Sequence, residues 1–184
     1  MTVRDYIRDN SDAKSISWEN QNQAADLFDL SLAETEEIIL SLGILPKRYM
    51  RNQGSISVEE QLNLLQSRIS LVGCGGLGGW VLESLVRLGI GTIRVIDGDR
   101  FEESNLNRQR FSSMTSIGKY KVDFAKAQLA SINPVVKIEA VKAIFKPGNG
   151  VEILKGSSLV VDGLDTIQDR LQLAAVCEIL QIPL

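Results

Sequence analysis

The sequence predicts an α/β protein, a doubly wound and mostly parallel sheet with helices on both faces, preceded by a helical appendage. Three observations carry that expectation. Short, nearly apolar runs recur at Ile69–Val72, Thr92–Ile96, Val135–Val141 and Leu159–Val161, and strands apolar on both sides belong to a sheet covered on both faces. Stretches with helical stops lie between them, so strand and helix alternate as they do in parallel sheets. The first of these strands runs straight into a glycine-rich turn, Gly73 to Gly79, that opens a helix.

Each element has a local reason. The appendage is expected to be helical over roughly Ala24 to Leu42, with Leu27, Phe28, Leu30, Ile38, Ile39 and Leu42 as its apolar material. Ser31 followed by Glu34 forms a capping box, and Gly43 suits the helix stop. The chain is expected to divide near Pro46, into an appendage over 1–46 and a sheet-bearing domain over 47–184. A second box, Ser57 with Glu60, opens a short helix through Leu65. After the glycine turn a helix is expected from about Trp80 to Leu88, stopped by Gly89. A polar segment then runs from Asp97 to about Ser116, and a helix from about Ile117 to Ile132 ends at Asn133-Pro134. Val151–Leu154 reads as a helical turn and Ile167–Leu180 as the last helix. Ile182-Pro183-Leu184 looks like the opening of one more strand, so the chain is expected to stop partway through a longer domain.

Composition removes several function classes. At 184 residues the chain suits one domain with an appendage. No stretch approaches the ~20 apolar residues of a membrane span, and Met1 to Asn20 has no signal-peptide core, so a cytoplasmic protein is expected. The net charge is −3, with 20 basic against 23 acidic residues, which argues against nucleic acid as the main partner. There is no histidine, which excludes histidine triads and histidine metal sites. Cys74 and Cys177 cannot build a four-thiolate zinc site alone, and both are expected to be reduced.

Gly73, Gly75, Gly76 and Gly78 lie in a pattern that contains G-x-G-x-x-G, placed between a strand and a helix. Glycine lets the backbone approach a phosphate with no Cβ in the way, and the helix start supplies free N–H groups and a positive dipole end. Asp97 closes the next strand, where a carboxylate can take the ribose hydroxyls. To this point NAD fits as well as ATP. Asp99 serves equally well as a turn former. Ser104, Asn105, Arg108 and Gln109 fall in a loop dense in amides and guanidinium groups, which suits a triphosphate better than a dinucleotide. Lys119 and Lys121 open the next helix on different faces. Asp162 and Asp165 follow the fourth strand, at the carboxyl edge where ligands of open α/β sheets bind, and a carboxylate there can hold Mg²⁺.

Gly73-x-Gly-Gly-Leu-Gly, Asp97-x-Asp, Ser104-Asn-Leu-x-Arg-Gln, Gly118-x-x-Lys121 and Asp162-x-x-Asp165 occur in the order and rough spacing of the ThiF/MoeB/HesA family. Arg48-Tyr49-Met50-Arg51 resembles its R-Y-x-R element. The resemblance runs from about Arg48 to Leu184 and implies a Rossmann-like ATP-binding domain. It implies that the Gly76 loop lies on the nucleotide phosphates and that Asp97 binds the ribose. It places Asn105, Arg108 and Lys121 on the phosphates and a magnesium ion on Asp165. Arg51 would reach into the site of a second protomer of a homodimer. Thr166 stands where the family usually has asparagine. The family's catalytic cysteine and its C-x-x-C zinc ligands lie downstream of Leu184.

The implied reaction is adenylation of the C-terminal Gly-Gly carboxylate of a small ubiquitin-fold sulfur-carrier protein, with Arg51, Arg108, Lys121 and Asp165 as the catalytic set. A terminal carboxylate is ionised at neutral pH, so no general base is needed. Two other classes stay open: an NAD-dependent oxidoreductase, and a non-catalytic nucleotide-binding or scaffold member of the same superfamily.

Overall fold

The computed structural model describes residues 1–184, which fold as two compact units, Met1–Gln66 and Ser67–Leu184. Pro46, the expected point of division, falls within the first unit.

The first unit is helical. Helix α1 (Val3–Asp9) starts on a Thr2–Asp5 capping box, strand β1 (Ser15–Ile16) follows, and α2 (Trp18–Leu27) is capped by Ser17. Helix α3 (Leu32–Ser41) begins on the Ser31–Glu34 box that the sequence specifies. The single helix expected over Ala24–Leu42 is thus two. Asp29 takes φ 52° between them, a left-handed value that no helix interior accommodates, and Ser31 starts the chain again. Helix α1 was hidden in a polar stretch, where Tyr6 and Ile7 alone supply the buried face. Strand β2 (Leu45–Pro46) pairs in parallel with β1, Ser15 to Leu45 and Ile16 to Pro46. A 3₁₀ turn over Lys47–Asn52 leads to α4 (Val58–Gln66), whose start Ser57 and Glu60 cap reciprocally. Ile7, Ile16, Ala24, Ile39 and Ile44 form the core.

The second unit alternates strand and helix: β3 (Arg68–Val72), α5 (Gly76–Leu88), β4 (Thr92–Ile96), α6 (Lys121–Leu129), β5 (Lys137–Val141), α7 (Pro147–Leu154), β6 (Leu159–Asp162) and α8 (Ile167–Leu180). The four strands pair in parallel in the order β5-β4-β3-β6. The sheet is therefore doubly wound, with the order reversing between β3 and β6. Leu71, Val72, Ile93, Val95 and Ile96 are almost wholly buried, at about 1.5–3 kcal/mol each for a large aliphatic side chain. No helix is long and apolar enough to cross a membrane.

Three helix starts differ from expectation for local reasons, and the strand expected over Val135–Val141 opens at Lys137. Helix α5 starts at Gly76 rather than Trp80, its glycines masking a helical first turn. Helix α6 starts at Lys121 rather than Ile117, because Ile117 and Tyr120 bridge to Phe101 and Arg100 instead. Helix α7 starts at Pro147, a residue pre-set for a first helical position. Ile182–Leu184 forms no strand, although the Pro183 carbonyl accepts the Val160 N–H at 2.9 Å along the β6 edge.

Candidate functional site

At the carboxyl ends of β3, β4 and β6 lies an open cleft of about 480 Å³, within the usual range of small-molecule sites and at the topological switch point of the sheet. Its floor is the glycine turn, and the glycines divide by what surrounds them. Gly73 has φ +95°, and a Cβ there would fall 2.5 Å from the Gly163 carbonyl oxygen. A Cβ on Gly78 would strike the Gly73 carbonyl oxygen, and one on Gly163 would come within 2.5 Å of that same atom. These three glycines lock the turn after β3 against the turn after β6.

Gly75 and Gly76 have no such role. Nothing lies within 4 Å of a Cβ at Gly76, and only Gln109 Nε2, at 3.7 Å, approaches one at Gly75. Neither has a positive φ. Both line the cleft, so the space that a side chain would fill is cleft space, in front of the free N–H groups of the first turn of α5.

The acidic residues after β4 hold the walls. Asp97 Oδ2 accepts the Cys74 N–H at 2.8 Å and its Oδ1 the Asp99 N–H at 2.8 Å, which ties the glycine turn to the next loop. Lys121 is buried and lines the cleft, its Nζ 3.0 Å from Asp99 Oδ2. Lys119 is exposed instead, its ammonium 5.2 Å from the Phe124 ring centre. Gln109 lines the cleft with 9% exposure, and its buried Oε1 has no hydrogen-bond partner. Arg108 is exposed on the wall, with Nη1 on the Ser104 carbonyl (2.9 Å) and on Asn107 Oδ1 (3.0 Å).

The structure thus brings Gly73, Gly75, Gly76, Asp97, Asp99, Arg108, Gln109, Lys121 and Asp165 to one cleft. The other candidates sit elsewhere. Gly78 is spent on packing. Asn105 is buried, its Oδ1 accepting the Glu102 N–H at 3.0 Å and its amide reaching the exposed Ser104, and neither residue lines the cleft. Thr166 caps α8, accepting the Asp169 N–H at 3.2 Å. Arg51 is exposed in the 3₁₀ turn of the first unit. Sequence reasoning passed over Gly163, Ile144 and Arg170, which also line the cleft. Arg170 donates through Nε to the Leu164 carbonyl at 3.2 Å and lies 3.3 Å from Asp162 Oδ2. Only its place one turn into α8 could have signalled it.

No group of three ligating side chains forms a metal cage. Asp165, exposed at the cleft, fits magnesium as the ion is usually held at phosphate sites, by one or two carboxylates with substrate phosphates and water.

Neither thiol is a nucleophile in this setting. Burial, with the Asp97 charge adding to it, pushes the Cys74 thiol up to about 12, and burial raises that of Cys177 as well. Since the thiolate is the reactive form, iodoacetamide at pH 8 is expected to leave Cys74 unmodified over a time that fully labels the urea-unfolded chain. Labelling of the folded protein at the unfolded rate, read by mass spectrometry, would refute this.

The profile of the ThiF family matches residues 49–184. The chain belongs to the ThiF family. It is 37% identical over 139 residues to the SAMP-activating enzyme E1 of Haloferax volcanii, covering 74% of this chain and 52% of that protein. It is 33% identical over 138 residues to the tRNA threonylcarbamoyladenosine dehydratase of Bacillus subtilis, covering 74% and 54%. A sulfur carrier protein adenylyltransferase of Thermus thermophilus is 37% identical over 115 residues, covering 62% and 42%. Among solved structures, the E. coli tRNA N6-threonylcarbamoyladenosine dehydratase in complex with ATP aligns with a TM-score of 0.71 at 29% identity, covering 74% of this chain and 57% of that one. The chain spans about half, or less, of the length of these curated relatives.

Proposed function

We propose that residues 47–184 form the ATP-binding part of an adenylyltransferase that activates the C-terminal Gly-Gly carboxylate of a small ubiquitin-fold sulfur-carrier protein. The observation that carries this reading is the open cradle at Gly75 and Gly76. At Gly76 glycine answers no packing or backbone need, while Gly75 takes φ −86° and ψ −136°, outside the ordinary β and α regions. Both stand in one cleft with Lys121, Arg108 and Gln109. An ATP-bound relative of the same fold and relatives named as adenylyltransferases support it.

In the proposed reaction a carboxylate oxygen of the carrier attacks the α-phosphorus of ATP. The bond from that phosphorus to the bridging oxygen breaks, and pyrophosphate leaves with the electron pair. The barrier is the approach of an anion to a polyanion. Lys121 and Arg108 lower it by stabilising charge that grows on the departing phosphates, and the free N–H groups at the start of α5 add a fixed positive end. Magnesium on Asp165 would supply further neutralisation. Arg51 would act on the phosphates of a second protomer in a homodimer.

The dehydratase relatives favour a second reading, action on a modified tRNA nucleoside. The net charge of −3 weighs against it. Isothermal titration with Mg-ATP, NAD and tRNA separates the readings. Binding of Mg-ATP with at least tenfold preference over NAD is expected. Tight NAD binding with no ATP signal would overturn the adenylation reading, and saturable tRNA binding would favour the second.

A further inference from the structure

The element Arg48-Tyr49-Met50-Arg51 divides by direction. Tyr49 is 1% exposed and donates its hydroxyl to Glu36 Oε1 at 3.1 Å. Arg48 pairs with Glu36 Oε2, donates to Gln21 Oε1 at 3.0 Å, and has its guanidinium 5.4 Å from the Trp18 ring centre and 4.9 Å from that of Tyr49. Gln21 Nε2 closes the circuit on Glu36 Oε2 at 3.0 Å. Met50 and Arg51 point outward. Glu36 and Gln21 are wholly buried, and both precede residue 49, where the family match begins.

We infer that the helices before the family domain are a positioning device, in which Glu36 anchors Arg48 and Tyr49 and so fixes the short turn that presents Arg51. A 3₁₀ turn of this length has poor intrinsic stability. A buried carboxylate that pairs with Arg48 and accepts the Tyr49 hydroxyl replaces what the turn lacks, and does so at a place where an uncompensated charge would be costly. Glu36 is thus a positioning residue, acting through Arg51, and its effect on turnover rests on the adenylation reading above.

The test uses Glu36→Gln, which keeps volume and removes the charge, and the double variant Glu36→Gln/Arg48→Met, which removes the whole ion pair. Glu36→Gln is expected to lower the kcat of carrier-dependent pyrophosphate exchange at least tenfold, with KM for ATP within twofold of wild type. The double variant, free of unpaired buried charge, is expected to recover thermal stability without recovering exchange. If exchange returns together with stability, Glu36 is merely structural and the inference falls. Trypsin reads the turn itself, at Arg51, the arginine that both variants keep. Cleavage there is expected to quicken at least tenfold in both variants at unchanged circular dichroism. If wild type shows no exchange at all, the adenylation reading fails, and this cleavage alone decides whether Glu36 holds the turn. Unchanged cleavage overturns the inference in either case.

Discussion

Lys121→Ala is expected to reduce pyrophosphate exchange by about 10²–10³-fold, the usual loss on removing one preorganised group that stabilises transition-state charge. Its Nζ is buried against the cleft and held 3.0 Å from Asp99 Oδ2, so its position is fixed before any phosphate arrives. Asp99 is itself exposed, its side chain at 64%, and is left in water when the lysine is removed. The fold is therefore expected to survive, with a melting temperature close to that of wild type, and the loss should fall mainly on kcat. Lys119→Ala is the control. Lys119 is exposed outside the cleft, and its removal is expected to change exchange by less than about twofold. Equal losses from the two substitutions, measured by steady-state exchange, would show that the cleft reading of α6 is wrong.

Gly78→Ala and Gly76→Ala are expected to act in opposite ways. Both glycines lie in α5, where alanine intrinsically gains up to about 1 kcal/mol over glycine. At Gly78 that gain loses to sterics. The new methyl group meets the Gly73 carbonyl oxygen, a backbone atom that cannot swing aside, and overpacking of this kind costs about 1–3 kcal/mol or more. Gly73 is itself held at φ +95° against Gly163, so the displacement passes into the turn after β6. A fall in melting temperature of about 2–12 °C, or more, is expected from that range. At Gly76 nothing opposes the methyl group. Stability is expected to stay level or rise slightly, while Mg-ATP affinity falls at least tenfold because the methyl group occupies phosphate space. Thermal melts paired with ATP titrations check both, and a Gly76→Ala variant that binds ATP as wild type does would remove the cradle from the argument.

The sequence made the sheet legible chiefly through β3, buried along nearly its whole length, and the apolar runs of β4 and β6, whereas β5 opens on exposed Lys137 and alternates. Thr92–Ile96 and Ile167–Leu180 appear in the structure with the expected bounds. Helix starts were harder to read. Glycines at the start of α5 contradict helical propensity because the turn serves the cleft, and the first residues expected in α6 are drawn into bridges with Arg100 and Phe101. The cleft was legible where a motif is local, at Gly73–Gly78, Asp97 and Lys121. Gly163 becomes necessary only once β6 lies beside β3, and Arg170 reaches the cleft only through the packing of α8. The roles of Arg48 and Tyr49 depend on Glu36, a contact between segments that no spacing rule connects.

The account turns on whether the cleft activates a carboxylate with ATP. The direct measurement is ATP–pyrophosphate exchange with a ubiquitin-fold carrier protein ending in Gly-Gly, supplied once with its free C-terminal carboxylate and once as the C-terminal amide. The account predicts exchange that saturates with the free carrier and disappears with the amide, since the amide has no anionic oxygen to attack the α-phosphorus. Exchange at equal rates with both carriers, or saturable ATP binding with no exchange from the free carrier, would contradict it.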